Sequence, residues 1–440
     1  MDPDAILSIL EKEKDFCEAR VERLEFSNSR FKDGEIQTNS GTGAGGSVRV
    51  FKNGCWGFAS GNPEKMEELL KSAKKLAALG RGNLKLAERG ACPKSEKKKS
   101  SNKIGAEELV ELSGELGKEM EGGRIKNRTV GLFEETNAEE YYNSLGAEII
   151  AETTIIYGRF SAVGKKGERI EDGRERYSSL KKWDREKLFW HAAEAKRKCE
   201  ESLDAEPAKP GVYTIIMDND LAGVFAHEAV GHACEADGII DGASILGDKA
   251  GKKIGSEMIT IWDDPSLENG FGKYKFDSEG VMGKRVELIK KGVVAGRLHS
   301  LETAEELGEE PNGHARAESY SYGPVVRMSN TCIEPGEERL GELMDIKEGL
   351  YLKGMSGGSV DPFTGQFMFR CEEAFPVQEG EKGKRIRAVS ITGTILQTLH
   401  EVDGVGKDFG ISPGFCGKDG QNVRVSDGGP HVRVKKIRVG

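Results

Sequence analysis

The stretch that decides how this chain is read is Gly211-Val212-Tyr213-Thr214-Ile215-Ile216-Met217-Asp218-Asn219-Asp220-Leu221, continued by Ala222-Gly223-Val224-Phe225-Ala226-His227-Glu228-Ala229-Val230-Gly231-His232-Ala233-Cys234-Glu235. Its first seven residues are a short, nearly continuous apolar run, the pattern of a buried strand. Asp218, Asn219 and Asp220 offer side-chain oxygens to the first free N–H groups of a helix. The spacing predicts a helix from Leu221 that ends near His-Glu-x-x-x-His.

Peptidase zinc helices carry His-Glu-x-x-His, with Glu as general base. Here one more residue separates the histidines. Each α-helical residue turns about 100°, so positions five apart diverge by roughly 140° and their imidazoles cannot share an ion. A π-turn, with i to i+5 bonding, restores a common face. A π-turn or a break is therefore expected at 229–232, where Gly231 tolerates distortion. His227 and His232 are the candidate ligands. Glu228 is the candidate base, because a carboxylate can take the proton from a water that zinc has acidified to a pKa of about 7. Catalytic zinc takes three protein ligands. The spacing leaves the third open among Glu235, His299, His314, His400, His431, Asp277, Glu279 and any cysteine. Cys234 reads as a small buried apolar residue.

Outward from this helix, the second half (206–440) turns rich in glycine and short strands, with clean alternation at Val423-Arg424-Val425 and Val432-Arg433-Val434. The first half (1–205) mixes both element types. Ile6, Leu7, Ile9 and Leu10 predict a short helix, and Cys17, Ala19 and Val21 a strand. Asp33-Gly34 and Asn53-Gly54 are hairpin turns. Gly41 to Gly46 reads as Gly-rich turns between antiparallel strands; without a following Lys-Ser or Lys-Thr it is a poor phosphate cradle. Asn62-Pro63 opens a helix reaching Gly80. Residues 81–103 read as a polar linker. A helix follows through Leu109, Leu112 and Leu116, then a strand at 148–157, then a long helix through Leu188 and Cys199. The expected fold is α+β: a mixed N-terminal part with antiparallel strands and helices, and a β-rich C-terminal domain that contains the motif helix and binds the metal.

Composition narrows the function. The chain has 440 residues, 32% charged and 37% hydrophobic, with a net charge of −9. That balance argues against direct nucleic-acid binding, and Lys97-Lys98-Lys99 sits in the polar linker. No run is apolar enough for a membrane span, and the acidic start lacks the basic n-region of a secretory signal. The eight cysteines form no C-x-x-C pair, which suits reduced thiols in a cytoplasm.

Several ordered segments carry a resemblance. They include Asp33-Gly34, Gly45-Gly46-Ser47-Val48-Arg49-Val50, His227-Glu228-Ala229-Val230-Gly231-His232, Asp277-Ser278-Glu279-Gly280, Arg327-Met328-Ser329-Asn330-Thr331, and Cys416-Gly417-Lys418-Asp419-Gly420-Gln421. With these the chain resembles the TldD/PmbA family, on the TldD side, over most of its length. The resemblance implies a cytoplasmic metallopeptidase acting on small or unfolded peptides. It implies a metal held by His227, His232 and Cys416, and zinc is the default ion for His and Cys ligands. It also implies a dimer, including a heterodimer with a PmbA-like (TldE) subunit that lacks the His-Glu motif. Cys416 lies in what reads as a Gly-rich loop, where nearby Lys418 would favour the thiolate. A nucleophilic Cys416 activated by His431 or His400 is the competing chemistry. A non-catalytic peptide-binding subunit and a hydrolase of non-peptide amides are the competing functions.

Overall fold

A computed structural model describes residues 3–88, 94–95 and 104–440. The Lys97–Lys99 run and Cys92 lie outside them. The fold is α+β, with three large sheets.

The first sheet is almost wholly antiparallel. Its order is Cys55–Gly61, Glu35–Lys52, Phe16–Lys32, Ile125–Asn143 and Glu148–Lys166. Arg169–Ser179 and the short Lys94–Ser95 also pair with the last of these. Two-residue turns connect the first hairpins. Asp33 and Gly34 have φ of 52° and 101°, and Asn53 and Gly54 have 52° and 68°. That double positive φ is the condition a type I′ turn sets. Gly41 to Gly46, expected as turns, lies instead inside the 18-residue strand Glu35–Lys52. Close approach explains at least part of it: a Cβ on Gly45 would fall 1.9 Å from the ring of Tyr320. Glycine there marks where the two halves of the chain meet.

Helix Met66–Leu79 packs on this sheet through Met66, Leu70, Ala73 and Ala77. Asn62 caps its entry by accepting from Glu64 N–H at 2.9 Å. Helices Ala106–Glu119 and Arg185–Asp204 cover a second cluster with Leu109, Leu112, Leu116, Leu188 and Cys199. The described part of the expected linker is not all solvated. Ala87 donates its N–H to Leu301 O and packs with Leu301 and Ala304 of the second half.

In the second half, five strands close on themselves. Glu348–Val360, Gly211–Met217, Val432–Val439, Ser390–Thr394 and Gln366–Gln378 pair in turn, and the last pairs back to the first. Gly211–Met217 is only partly the buried strand its apolar run predicts. Ile215, Ile216 and Met217 are buried, whereas Val212 is exposed. The other sheet runs Val293–Val294, Val286–Lys290, Ile261–Asp263, Asn330–Ile333, Gln421–Gly429 and Gly410–Lys418. The motif helix lies between the two sheets. Leu221, Phe225, Ala226 and Val230 share one apolar cluster with Ile215, Phe367, Ile391, Val423 and Val425. Gly223 lets the helix touch the second sheet, because a Cβ there would meet Gly428 N at 2.2 Å.

Candidate metal centre

Asp218 caps the motif helix, its carboxylate accepting from Leu221 N–H at 2.9 Å. The α-helix runs Asn219–Phe225, and Ala226–Gly231 then winds as a π-helix. The His232 N–H donates to His227 O, the i to i+5 bond that the histidine spacing demands. A 3-10 turn, His232–Cys234, ends the segment. The expected distortion is present and begins three residues earlier than predicted. Gly231 plays another part than expected. Its φ of −55° and ψ of −57° suit any residue, but a Cβ there would lie 1.9 Å from Met328 Sδ.

The π-turn brings the two rings to 5.2 Å between centroids. His227, His232 and Cys416 present ligand atoms that all lie within 4.8 Å of one another. Cys416 Sγ is 3.5 Å from His232 Nε2. Zinc bonds of about 2.0–2.1 Å to nitrogen and 2.3 Å to sulfur at a tetrahedral angle would separate those atoms by about 3.6 Å. The donor set and its spacing therefore fit one zinc-sized ion.

Cys416 reaches this point from a strand, Gly410–Lys418, rather than from the Gly-rich loop expected. Nor does Lys418 act on the thiol as expected: its Nζ contacts Glu235 at 3.1 Å and Asp237 at 2.7 Å. Burial would push the Cys416 thiol up, but the imidazoles of His227 and His232 outweigh it and bring the thiol down to about 5. Burial pulls both histidines down and their anionic neighbours reverse this. His232 rises to about 10 through Glu235 and Cys416, and His227 is held well above its ordinary value by Asp427 and Cys416. Glu228 Oε2 sits 4.0 Å from His232 Nε2, with its side chain 31% exposed.

The other ligand candidates lie elsewhere. His299 pairs with Glu309, His314 with Asp263, and His431 with Asp408 and Tyr351. Asp277 accepts backbone N–H groups from Glu279, Val281 and Ala315. Glu279 holds Arg49, and His400 is exposed at a helix end. Cys234 is buried among apolar residues, which raises its thiol to about 12. Glu235 meets His232 Nδ1 at 3.0 Å instead of joining the donor cluster. Asp427, not singled out in the sequence, places Oδ1 2.7 Å from His227 Nδ1. The alternation Val423-Arg424-Val425 contains the signal for it: 427 keeps the phase of 423 and 425, the face toward the motif helix.

A cavity of about 1260 Å³ lies nearby, and none of His227, Glu228, His232, Cys416 or Asp427 lines it. Its walls include Arg176, Asp220, Lys353, Ile411, Phe415 and Ser426, the last two being chain neighbours of Cys416 and Asp427.

Three family profiles match the chain. The PmbA/TldA metallopeptidase C-terminal domain covers residues 210–440, domain 1 covers 17–77 and the central domain 99–203. The chain belongs to the PmbA/TldD metallopeptidase family. A metalloprotease of Methanothermobacter thermautotrophicus is 38% identical over 99% of this chain and 98% of its own length. A Saccharolobus solfataricus protein named zinc metalloprotease TldD homolog is 30% identical over 97% and 96%. In fold, TldE from Thermococcus kodakarensis superimposes with a TM-score of 0.80 at 22% identity, over 99% of each chain. This PmbA/TldD family member is thus a hydrolase of the metallopeptidase class. Among its described residues no helix is long and apolar enough to cross a membrane.

Proposed function

We propose that this chain hydrolyses peptide bonds of small or unfolded polypeptides at one zinc ion held by His227, His232 and Cys416, with Glu228 as general base. The observation that carries this is the π-turn, which converges two histidines five positions apart on the Cys416 thiol. Zinc at this site would acidify water toward a pKa of about 7 and polarise the scissile carbonyl. Cys416 serves as a thiolate, already favoured at neutral pH by its two imidazole neighbours. Glu228, partly exposed beside His232, takes the proton from the attacking water and returns it to the leaving amine. Residues 206–440 form the catalytic domain, and 1–205 wall the cavity from the other side through Arg176 and Tyr157.

A cavity of about 1260 Å³ exceeds the roughly 300–1,000 Å³ of a small-molecule pocket and suits a peptide. Part of its wall is Ile411 to Phe415 in Gly410–Lys418, the strand that ends its sheet. An extended substrate adding there would be held by main-chain bonds with little sequence preference. The working unit proposed is a cytoplasmic dimer, with a TldE-like partner as the heterodimer form, in line with the shared fold.

Glu228→Gln is the test. Hydrolysis of an unstructured peptide falls by about 10²–10⁴-fold while zinc stays bound. A Glu228→Gln protein that cleaves like wild type contradicts the base assignment. Full retention of metal with no cleavage by wild type points to a binding subunit instead.

A further inference from the structure

The metal-site reading leaves two carboxylates unexplained. Each motif imidazole sets Nδ1 against a carboxylate, Glu235 being buried and Asp427 half-buried. His232 Nδ1 lies 3.0 Å from Glu235 Oε2, while its Nε2 faces Cys416. His227 Nδ1 lies 2.7 Å from Asp427 Oδ1, off the straight N–H···O line, and neither atom has a hydrogen-bond partner among the described residues. Neither carboxylate belongs to the cluster of donor atoms.

We propose, resting on that reading, that Asp427 and Glu235 are positioning residues that hold the two imidazoles as metal ligands. A neutral imidazole carries one N–H, and the ring nitrogen that binds metal is set by the hydrogen bond the other makes. A carboxylate at Nδ1 keeps the proton there, frees Nε2 and strengthens it as a donor. The chain builds this arrangement from one hairpin. Strand Gly410–Lys418 pairs with Gln421–Gly429, so Cys416 stands opposite Val423 and Ser412 opposite Asp427. The thiol donor and the carboxylate behind His227 therefore move as one unit. The same hairpin reaches the second carboxylate. Lys418, two residues beyond Cys416 and on the same strand face, contacts Glu235 and Asp237 and donates to Val326 O at 3.0 Å. Lys418 thereby holds Glu235 against His232 and is a third positioning residue.

The test is zinc affinity of the full-length, chelator-treated protein, titrated against a chromogenic competitor and followed in parallel by the absorption of the cobalt-loaded form. Asp427→Ala and Glu235→Ala bind zinc about 10–100-fold more weakly than wild type, the usual loss for such partners. Their cobalt spectra keep the thiolate-to-metal band, because Cys416 remains. Asp427→Asn, whose amide oxygen keeps an acceptor beside Nδ1, recovers part of the affinity, which a general folding defect would not reproduce. Should Asp427→Ala fail to fold, Asp427→Asn and Lys418→Met carry the same comparison, each binding zinc more weakly than wild type and more tightly than His227→Ala. If these variants bind zinc as wild type does while His227→Ala and Cys416→Ala lose it, the positioning role is wrong and the metal site stands. If His227→Ala and Cys416→Ala also bind as wild type, the metal-site reading itself falls.

Discussion

Replacing Gly231 by alanine perturbs the turn that joins the two histidines. The new Cβ would sit 1.9 Å from Met328 Sδ, 3.1 Å from its Cγ and 3.3 Å from its Cε. Ordinary contact begins at 3.4 Å, so the sulfur must retreat by about 1.5 Å, well inside the contact distances of a packed interior. Met328 is fully buried and its backbone cannot follow easily. Its carbonyl accepts from Arg316 at 2.6 Å, and its neighbours Arg327 and Ser329 bond Cys416 O and Asp263. Overpacking of this kind costs about 1–3 kcal/mol. Removing a glycine from a helical conformation returns up to about 1 kcal/mol. A 1.9 Å contact puts the cost in the upper half of that range, about 2–3 kcal/mol, so the net loss is about 1–2 kcal/mol. If residues 210–440 melt as a unit, that corresponds to a fall of about 2–8 °C. Calorimetry of the metal-free protein measures it, and zinc titration shows weaker binding as the π-turn is pushed off Met328. Met328→Ala makes room for the methyl group, so the double variant loses less than the sum of the singles. A Gly231→Ala protein that melts and binds zinc as wild type does, with no coupling to Met328, refutes this reasoning.

Three further outcomes are expected. Cys416→Ala leaves two imidazoles without their thiolate and lowers zinc occupancy after dialysis, read by elemental analysis. Arg49, buried between Glu18 and Glu279 at 2.6 Å and 2.9 Å, ties the first sheet to the second half. Arg49→Ala strands those carboxylates and costs about 3–5 kcal/mol, whereas the triple apolar replacement costs much less, both measured by denaturant unfolding. Burial, with Asp220 adding, pushes the Asp218 carboxyl up to about 7. An acid whose pKa rises on folding binds its proton more tightly in the native state, so stability falls as pH rises from about 4 toward about 7. Asp218→Asn keeps an oxygen for the Leu221 cap and removes that slope. It gains melting temperature relative to wild type above about pH 7 and not below about pH 4.

Much of this was legible because the relevant physics is local. Five-residue spacing between His227 and His232 forced the π-turn, since no regular helix could make the pair useful. Asp33-Gly34 and Asn53-Gly54 announced their turns through residues that accept positive φ. What stayed hidden depends on distant neighbours. Gly45 and Gly231 looked like backbone freedom, yet each makes room for a partner far along the chain, Tyr320 and Met328. Lys418 looked like a charge for Cys416, but strand geometry turns it to Glu235 and Asp237. Asp427 lies about as far from His227 in sequence as Cys416 does, and only the pairing of two strands brings both to the helix. The apolar run at 211–217 could not reveal which of its residues the closed sheet would leave in water, and Val212 is one.

The most direct measurement is X-ray absorption at the zinc edge of the loaded protein. Convergence of His227, His232 and Cys416 on one ion predicts two nitrogens at about 2.0–2.1 Å and one sulfur at about 2.3 Å, with the sulfur shell gone in Cys416→Ala. A first shell without sulfur in the wild-type protein, or no zinc retained under reducing conditions, would contradict it.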